Sequence, residues 1–403
     1  MNMLQRPFGR TGEQVSILGF GCMRLPVIDG RRERIDVPKA TEMLHYAIDR
    51  GVNYVDTAFP YHGAAFDENP GMSEGFVGGA LADGYRDKVL LATKLPGWLV
   101  KSREDMDRIL AGQLQRLRTD HIDCYLLHAM SATSWQRLSR LGVLEFLDAA
   151  KTDGRIRYAG FSYHDEPPAF APIVDAYAWD LCQIQYNYLD VDYQAGAAGL
   201  AYAADRGLAV IVMEPLKGGR LAGRTPTSIQ VLWDTASVKR TPVEWALRFV
   251  WDDRRVSLLL SGMNTMEQVV ANVETTASGW AGSLTRSEHA LIDRVRVAYL
   301  ARTAVDCTAC RYCMPCPKHI DIPLLLSSVN RVSLFDDPAG ERATYKIEVE
   351  LGNTAKASEC TECGQCEKAC PQQIRVIEQL ANAARMFDEV GGSAESLDPG
   401  GGE

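Results

Sequence analysis

Eight of the eleven cysteines lie in two short runs near the C-terminus, and their spacing is that of ligands for iron–sulfur clusters. The runs are Cys307-x2-Cys310-x2-Cys313-x2-Cys316 and Cys360-x2-Cys363-x2-Cys366-x3-Cys370, each followed by proline. A 4Fe-4S cluster needs four thiolates, and a C-x2-C-x2-C turn can supply three of them to one cluster. Zinc sites rarely stack four cysteines at intervals of three, and disulfides need an oxidising compartment. The sequence therefore predicts two 4Fe-4S clusters that transfer electrons singly.

Four residues upstream have the types needed to reduce a carbonyl group: Asp56, Tyr61, Lys94 and His128. Hydride addition leaves an alkoxide that must be protonated, and a phenol such as Tyr61 can donate that proton. A free phenol titrates near ~10, so we expect the Lys94 ammonium, held by Asp56, to lower the pKa of Tyr61. A neutral His128 can donate a hydrogen bond to the substrate oxygen. Each of these residues alone is more often structural, so the prediction depends on all four lying together.

The first 280 or so residues contain eight short apolar runs that alternate with segments of helical period. The predicted strands are Ser16–Phe20, Asn53–Thr57, Lys88–Thr93, Ile122–Leu127, Arg157–Phe161, Leu181–Gln185, Ala209–Met213 and Ser257–Ser261. Eight such strand–helix units predict a (β/α)8 TIM barrel, in which chemistry occurs at the C-terminal ends of the strands. Asp56 lies at the predicted end of strand two, Lys94 follows strand three, and His128 follows strand four.

These residues and their segments resemble the aldo-keto reductase family. The resemblance rests on Asn53-Tyr-Val-Asp-Thr-Ala58 with Tyr61 following, on Leu91-Ala-Thr-Lys-Leu-Pro96, and on Tyr125-Leu-Leu-His128. It extends from the Phe8–Gly12 hairpin to about Thr276. It implies NAD(P)H as the hydride donor and a catalytic tetrad of Asp56, Tyr61, Lys94 and His128. The whole chain is similar to the branch of the family that carries a C-terminal 4Fe-4S module.

The resemblance also implies a set of nicotinamide cofactor contacts. Gln183 matches the residue that binds the carboxamide, but Tyr163-His164 follows Ser162 where the family has asparagine, and Met213 replaces the usual stacking aromatic. The segment after strand eight lacks the lysine and arginine that bind the 2′-phosphate in NADPH-specific relatives, so the choice between NAD and NADP stays open. The full set of predicted contacts is Ser162, Gln183, Met213, Leu216, Lys217, Gly262, Gln268 and Asn272.

The cysteine-rich module resembles the α-helical ferredoxins of fumarate reductase-type iron–sulfur subunits. The second run has the spacing of bacterial ferredoxins, and two stretches of helical pattern, Pro323–Asn330 and Arg342–Leu351, separate the runs. The resemblance implies cross-ligation, in which the last cysteine of each run binds the other run's cluster. One cluster would then take Cys307, Cys310, Cys313 and Cys370, and the other would take Cys360, Cys363, Cys366 and Cys316.

We therefore expect a barrel over residues 1–284, a linker helix with a small, mainly α-helical ferredoxin-like iron–sulfur domain over 285–390, and a disordered tail over 391–403. The insertion His62–Met72 is expected at the substrate mouth, and the connection Ala129–Leu138 with Trp135 is expected to cover the pocket beside His128. Segment Arg220–Lys239 is predicted either to dock the iron–sulfur module or to cover the cofactor. Cys22, Cys124 and Cys182 lie in apolar strands and are predicted to be buried packing residues.

The 403 residues carry a net charge of −9, which disfavours nucleic acids and anionic membranes as partners. The first residues lack the apolar region of a signal peptide, and no apolar run is long enough for a membrane span. We expect a cytoplasmic protein without membrane insertion.

The predicted function is NAD(P)H-linked conversion of a small carbonyl or alcohol substrate, with two 4Fe-4S clusters relaying electrons to a redox protein such as a ferredoxin or flavoprotein. Two alternatives stay open. The chain could sense nicotinamide as an electron-transfer or regulatory subunit without turnover, or it could reduce its substrate with cluster electrons and use no nicotinamide.

Overall fold

The computed structural model describes residues 3–63, 68–223, 225–307 and 309–388, which divide into two compact units. The first unit comprises Met1–Leu221 and Arg240–Ile292, and the second comprises Ala222–Lys239 and Asp293–Glu403. The predicted tail, 391–403, lies outside the described residues. Among the described helices, none has the length and apolar character needed to cross a membrane.

The first unit is a closed barrel of eight parallel strands, as predicted. A hairpin of β1 (Gln5–Pro7) and β2 (Gln14–Ser16) precedes it. The barrel strands are β3 (Leu18–Gly21), β4 (Tyr54–Asp56), β5 (Leu90–Leu95), β6 (Ile122–Met130), β7 (Ile156–Tyr163), β8 (Leu181–Gln185), β9 (Ala209–Met213) and β10 (Val256–Ser261). They pair in chain order, and β10 closes the barrel against β3.

Alternate residues of each strand face the barrel interior, because successive side chains of a strand point to opposite faces. Tyr54, Leu90 and Cys124 belong to a fully or nearly fully buried interior cluster with Leu181, Ala209 and Leu258. Phe8 from the hairpin joins the same cluster and fills the end at which the strands begin. The residues between them pack outward against the helices in a second, larger cluster that includes Cys22 and Cys182. All three cysteines predicted to be packing residues are buried.

Helices cover the outside of the barrel. They are α1 (Val37–Asp49), α2 (Ser73–Ala80), α3 (Arg103–Leu117), α4 (Ala132–Arg140), α5 (Val143–Thr152), α6 (Phe170–Asp175) and α7 (Gly196–Asp205). After α8 (Thr227–Trp233), which lies in the second unit, α9 (Pro242–Asp252) and α10 (Met266–Thr276) complete the barrel. The loop predicted over Ala129–Leu138 is wrong. Strand β6 continues to Met130, and Ser131 caps α4 by accepting a hydrogen bond from Ser134 N.

The second unit is helical, as predicted for the iron–sulfur domain. Helix α11 (Arg286–Leu300) leads from the first unit into the second. Then follow α12 (Ile322–Phe335), α13 (Pro338–Glu350), the short α14 (Gln365–Ala369) and α15 (Val376–Phe387). A separate core of Ile320, Leu325, Leu326, Val329, Leu380 and Ala383 holds them together.

The segment 222–239 belongs to this second unit although its ends are in the barrel. Arg302 connects it to α12, because its guanidinium donates to Ser228 Oγ at 3.4 Å and to Ser333 O at 2.9 Å. Of the two placements expected for Arg220–Lys239, docking on the iron–sulfur module is therefore confirmed for residues 222–239.

Two adjacent glycines of α2 provide a test of the packing between α2 and α3. A Cβ added at Gly78 would lie 2.4 Å from Arg116 O, whereas one at Gly79 would approach nothing closer than 3.8 Å. We expect Gly78→Ala to destabilise the barrel by about 1–3 kcal/mol, because backbone atoms must move apart. Gly79→Ala should be neutral or stabilising by up to about 1 kcal/mol, because alanine is the better helix former.

Urea unfolding of the two variants, followed by circular dichroism, measures this difference. Equal midpoints for Gly78→Ala and Gly79→Ala would contradict the close approach of the two helices.

Candidate active site and cluster-binding segments

The four predicted catalytic residues lie together at the C-terminal end of the barrel. Lys94 Nζ donates to both oxygens of the Asp56 carboxylate, at 2.8 and 2.7 Å, and to Thr57 O at 2.9 Å. It also lies 3.2 Å from the Tyr61 hydroxyl. The ring centroids of Tyr61 and His128 are 6.2 Å apart, and the rings meet edge to face.

The two-residue period of the strands explains this convergence. Asp56 follows Tyr54 by two positions in β4, and Lys94 follows Leu90 and Ala92 in β5, so each continues a row of interior side chains. His128 continues the row of Cys124 and Leu126 in β6. Lys94 and His128 were predicted to follow their strands. In the structure both lie within the strands, because β5 extends to Leu95 and β6 to Met130.

Burial decides the protonation states at this site. Burial alone would lower the pKa of Lys94, but the Asp56 carboxylate and the Tyr61 hydroxyl raise it above its ordinary value, so Lys94 is an ammonium. Burial raises the pKa of Tyr61, and Lys94 opposes that shift without reversing it. The expected lowering of the Tyr61 pKa is therefore wrong for this structure, in which the removal of the phenol from water outweighs the nearby cation. Tyr61 remains a protonated donor at neutral pH.

The structure favours a neutral His128, the form in which it could donate a hydrogen bond to a substrate oxygen. Burial, followed by the charge of Lys94, holds the pKa of His128 well below its usual range. Its Nδ1 is buried and has no hydrogen-bond partner among the described residues. Trp98, which sequence reasoning missed, packs against the imidazole with ring centroids 5.5 Å apart. Its place in Lys94-Leu-Pro-Gly-Trp98, just past β5, was the available signal.

A buried polar network supports the strand that carries Lys94. Glu74 of α2 accepts hydrogen bonds from Thr93 Oγ1 and Gln113 Nε2, both at 2.7 Å, and pairs with Arg116. Gln113 also donates to the backbone carbonyl of Lys94 at 3.0 Å, and its Oε1 accepts from Tyr125. Helices α2 and α3 thus fix the end of β5.

A cavity of about 220 Å³ opens onto the tetrad. Besides Asp56, Tyr61 and His128, its lining comprises Gly21, Met23, Arg24, His164, Gln183, Met213, Glu214, Leu260 and Gly262. A larger hollow of about 680 Å³ lies beside α1 and α2, but no member of the tetrad lines it. The chemistry therefore identifies the smaller cavity as the candidate active site.

The loop after β3 contributes residues that the sequence did not predict. Arg24 lies 3.9 Å from Glu214, and its side-chain carbons would be 3.2–3.3 Å from a Cβ added at Gly262. His62 holds this loop, since its Nε2 accepts from Leu25 N at 3.1 Å and its Nδ1 donates to Arg32 O at 2.8 Å. Burial lowers the pKa of His62, which is consistent with that neutral tautomer. The predicted insertion His62–Met72 includes residues 64–67, which lie outside the described residues.

The predicted nicotinamide contacts lie around the same cavity. Gln183 is buried, its Oε1 has no hydrogen-bond partner among the described residues, and its Nε2 lies 3.6 Å from Met213 Sδ. Ser162 accepts a hydrogen bond from Ala129 N at 2.8 Å and so fixes the backbone after His128. An orphaned amide oxygen beside a polarisable thioether fits a carboxamide-bearing ring.

The remaining predicted cofactor contacts are distributed over the loops after β9 and β10. Lys217 is bound to Asp190, with Nζ 2.6 and 2.7 Å from the two carboxylate oxygens. Asn272 donates to Ser261 Oγ at 3.0 Å, and Gln268 Oε1 accepts from Asn264 N at 2.9 Å. Leu216 is half-buried against the barrel core, and Gly262 lines the cavity. Trp135, expected over the pocket, packs instead against Trp179 with ring centroids 6.1 Å apart.

The candidate cluster-binding segments have matching backbone conformations at the positions that the structure describes. In each, the residue two places after the first cysteine has a positive φ, and its amide donates to that cysteine's sulfur at 3.4 Å. These residues are Ala309, with Cys307, and Glu362, with Cys360. Amide donors of this kind stabilise thiolates, so the turns fit an iron–sulfur cluster. Among the described residues, no three acidic, histidine or cysteine side chains converge closely enough to hold a single metal ion.

Comparison with known proteins identifies both units. A model of the aldo/keto reductase family matches residues 17–296, and a model of the 4Fe-4S dicluster domain matches residues 306–375. An uncharacterized oxidoreductase of Bacillus subtilis, YrpG, is 30% identical over 233 residues, which cover 54% of this chain and 67% of YrpG. A 6-dehydroglucose reductase of Novosphingobium aromaticivorans is 29% identical over 54% of this chain and 70% of its own.

A solved structure gives the same result for the fold. The holo form of aldo-keto reductase AKR11C1 from Bacillus halodurans is similar with a TM-score of 0.61 and 26% identity. The match covers 73% of this chain and 96% of that one.

The Asp56–Lys94 pair predicts an asymmetric response to mutation. Both side chains are almost fully buried, at 3% and 1% exposure. Lys94→Met should lower the free energy of unfolding by about 3–5 kcal/mol, because it leaves a buried carboxylate without its counter-ion. The double variant Asp56→Leu/Lys94→Met should recover most of that loss.

Chemical denaturation of the single and double variants measures the coupling. The exposed pair Lys88–Asp49, at 3.3 Å, is the matched control, and Lys88→Met should cost no more than about 1 kcal/mol. A double variant as unstable as Lys94→Met alone would show that the loss does not come from the unpaired charge.

Proposed function

Because the chain belongs to the aldo/keto reductase family, we propose that it is an NAD(P)H-linked oxidoreductase of a small carbonyl or alcohol, with two 4Fe-4S clusters that relay electrons. The observation that carries the proposal is the buried Lys94 ammonium, which contacts both Asp56 and the Tyr61 hydroxyl beside a neutral His128. This is an assembled proton donor with an oxygen-binding group next to it, and it opens into a cavity.

Each residue has a defined role in carbonyl reduction. The nicotinamide supplies hydride when it is bound. Tyr61 donates its hydroxyl proton to the carbonyl oxygen as negative charge develops there, and Lys94 stabilises the resulting phenolate. The neutral His128 donates a hydrogen bond that orients the same oxygen. Asp56 keeps Lys94 charged and fixed, while Trp98 limits the space beside the imidazole.

The cofactor would be held by residues on several strands. Gln183 offers the carboxamide an acceptor that has no partner among the described residues, and Met213 offers its thioether to the ring face. Ser162 would complete the ring-binding side, and we expect Leu216, Lys217, Gly262, Gln268 and Asn272 to contact the rest of the dinucleotide. The holo form of the Bacillus halodurans relative supports a bound cofactor in this fold.

The clusters would exchange electrons with a redox protein such as a ferredoxin or flavoprotein. Each cluster transfers one electron at a time, so two clusters together can carry as many electrons as one hydride contains. All eight ligand cysteines must stay reduced and unpaired, which favours a reducing compartment such as the cytoplasm. The name of the 6-dehydroglucose reductase supports a small carbonyl compound as the substrate class.

A reductase driven by cluster electrons without nicotinamide is the second candidate. Met213 favours it, because a thioether stacks less specifically on a ring than the aromatic residue it replaces. A sensing subunit without turnover is less well supported, since the tetrad is fully assembled.

Replacement of the proton donor tests the catalytic assignment. Tyr61→Phe should slow NAD(P)H-dependent carbonyl reduction about 10²- to 10⁴-fold, the usual contribution of a general acid. Anaerobic stopped-flow oxidation of NADH and NADPH with a panel of aldehydes and ketones measures it. Tyr54→Phe is the matched control, because Tyr54 is buried lower in the barrel and should be dispensable.

Cluster absorbance should be the same in both variants and in the unmodified protein. Undiminished turnover in Tyr61→Phe would show that Tyr61 is not the acid.

Cofactor binding separates the two candidate functions. We expect saturable binding of NADH or NADPH, and Gln183→Leu should weaken it about tenfold or more, because a buried hydrogen bond to the carboxamide is lost. Quenching of tryptophan fluorescence in the iron-replete protein measures the dissociation constant. Gln136→Leu, an exposed glutamine on α4, is the control. The absence of saturable binding of either nucleotide would favour the reductase driven by cluster electrons.

A further inference from the structure

We propose that the two clusters are electrostatically unequal, and that an electron shared between them resides mainly on the cluster of the Cys307–Cys313 turn. This inference rests on the proposed pair of 4Fe-4S clusters and adds a direction to the relay. It follows from a repeat in the backbone of the second unit, where two matching turns carry opposite charges.

The two turns have the same backbone conformation at the matched positions that the structure describes. Ala309 and Glu362, each two places after the first cysteine, have φ values of 53°. Arg311 and Gly364, each directly after the second cysteine, have φ values of 61° and 72°. All four residues are therefore in the left-handed region, which a non-glycine residue enters at a cost.

The equivalence continues past the last cysteine of each run. His319 and Gln373 lie three places after that cysteine and have φ values of 57° and 54°. The amide of each donates to the carbonyl of the cysteine, His319 to Cys316 at 2.9 Å and Gln373 to Cys370 at 3.1 Å. Helices α12 and α15 then begin six residues after the respective cysteines. The extra residue of the second run falls between Cys366 and Cys370, where α14 lies.

Because the backbone conformations match at these positions, the side-chain charges of the two turns can be compared position by position. Where the first turn has neutral Ala309, the second has the carboxylate of Glu362. Where the first has the guanidinium of Arg311, the second has neutral Gly364. Glu367 and Lys368, which follow Cys366, contribute one charge of each sign to the second run and do not alter the comparison. The matched positions thus differ by two charges, and both differences make the first turn more positive.

Reduction adds a negative charge to a cluster that its thiolates already make anionic, so a nearby cation favours it and a carboxylate opposes it. Arg311 is paired with Asp321 at 2.9 Å, which offsets part of its effect. Glu362 is exposed and makes no ion pair within the described residues, so we expect its contribution to be the larger of the two. When an electron moves between the clusters, the second-turn cluster is oxidised and the first-turn cluster is reduced by that same electron.

The matched cysteines Cys310 and Cys363 are both exposed, so the charge inequality, and not exposure alone, selects the first turn as the place where an electron would leave the protein. Cys310 is exposed in the first turn, and Tyr312 beside it is 69% exposed. An electron that resides on the first-turn cluster is therefore next to an accessible surface that carries an aromatic side chain and a cation. A redox partner would receive it there.

Anaerobic redox titration of the full-length, cluster-loaded protein, followed by electron paramagnetic resonance, tests the proposal. We expect two separate one-electron waves whose midpoints differ by more than a tenfold equilibrium constant, which is 59 mV. Glu362→Ala should raise the lower midpoint and leave the upper one unchanged. Arg311→Gly should lower the upper midpoint by a smaller amount. Each variant introduces the residue that the other turn already carries in the same conformation, so folding should be preserved.

Lys346→Gln and Glu350→Gln, which remove one charge of each sign from exposed sites on α13, should move neither wave at 0.1 M salt. A single wave for both clusters, or a shift of the upper wave in Glu362→Ala, would overturn the inference. Iron analysis distinguishes this from failure of the proposed function. Fewer than about eight iron atoms per chain would refute the two-cluster assignment itself.

Discussion

The two-residue period of the eight parallel strands is the constraint on which the site depends. In each strand the interior row begins with apolar residues, such as Leu90 and Ala92, and in several it ends in a polar residue at the C-terminal end, such as Lys94. The lower layers of the barrel interior are filled by buried apolar side chains, and the interior rows of β4, β5 and β6 end in Asp56, Lys94 and His128 at the C-terminal end. A shift of one residue in β5 would turn Lys94 outward among the helices and separate it from Asp56.

Burial of that polar layer has an electrostatic consequence. The same removal of water that strengthens the attraction between Lys94 and Asp56 also disfavours a phenolate at Tyr61, and in the structure the second effect exceeds the help from Lys94. Tyr61 therefore does not act by being partly ionised at neutral pH. In the proposed carbonyl reduction it would act as a protonated donor whose conjugate base is stabilised by the Lys94 ammonium 3.2 Å away. The network of Glu74 and Gln113 behind β5 maintains this geometry.

The strands and the tetrad could be predicted from the sequence because both follow from local pattern. Alternation places Asp56, Lys94 and His128 on one face without any knowledge of distant contacts. Trp98 and Arg24 were missed because neither lies in a barrel strand. Trp98 packs against His128 from the short helical turn after β5, and Arg24 lines the cavity from the loop after β3, whose path depends on the hydrogen bond from Leu25 N to His62. Helix α4 was missed because its start depends on the Ser131 cap, and β6 continues two residues past His128.

The chain leaves the barrel unit for the second unit once before the C-terminal stretch begins. Strand β9 ends at Met213 in the cavity, and nine residues later the chain enters the second unit, which it leaves again at Lys239 to form α9 of the barrel. Ile229 and Trp233 are buried in this excursion. Both ends of segment 222–239 continue into the barrel unit, so the second unit is built from two separate stretches of the chain. The loop after β9 therefore belongs at one end to the candidate cofactor site and at the other to the unit that carries the clusters.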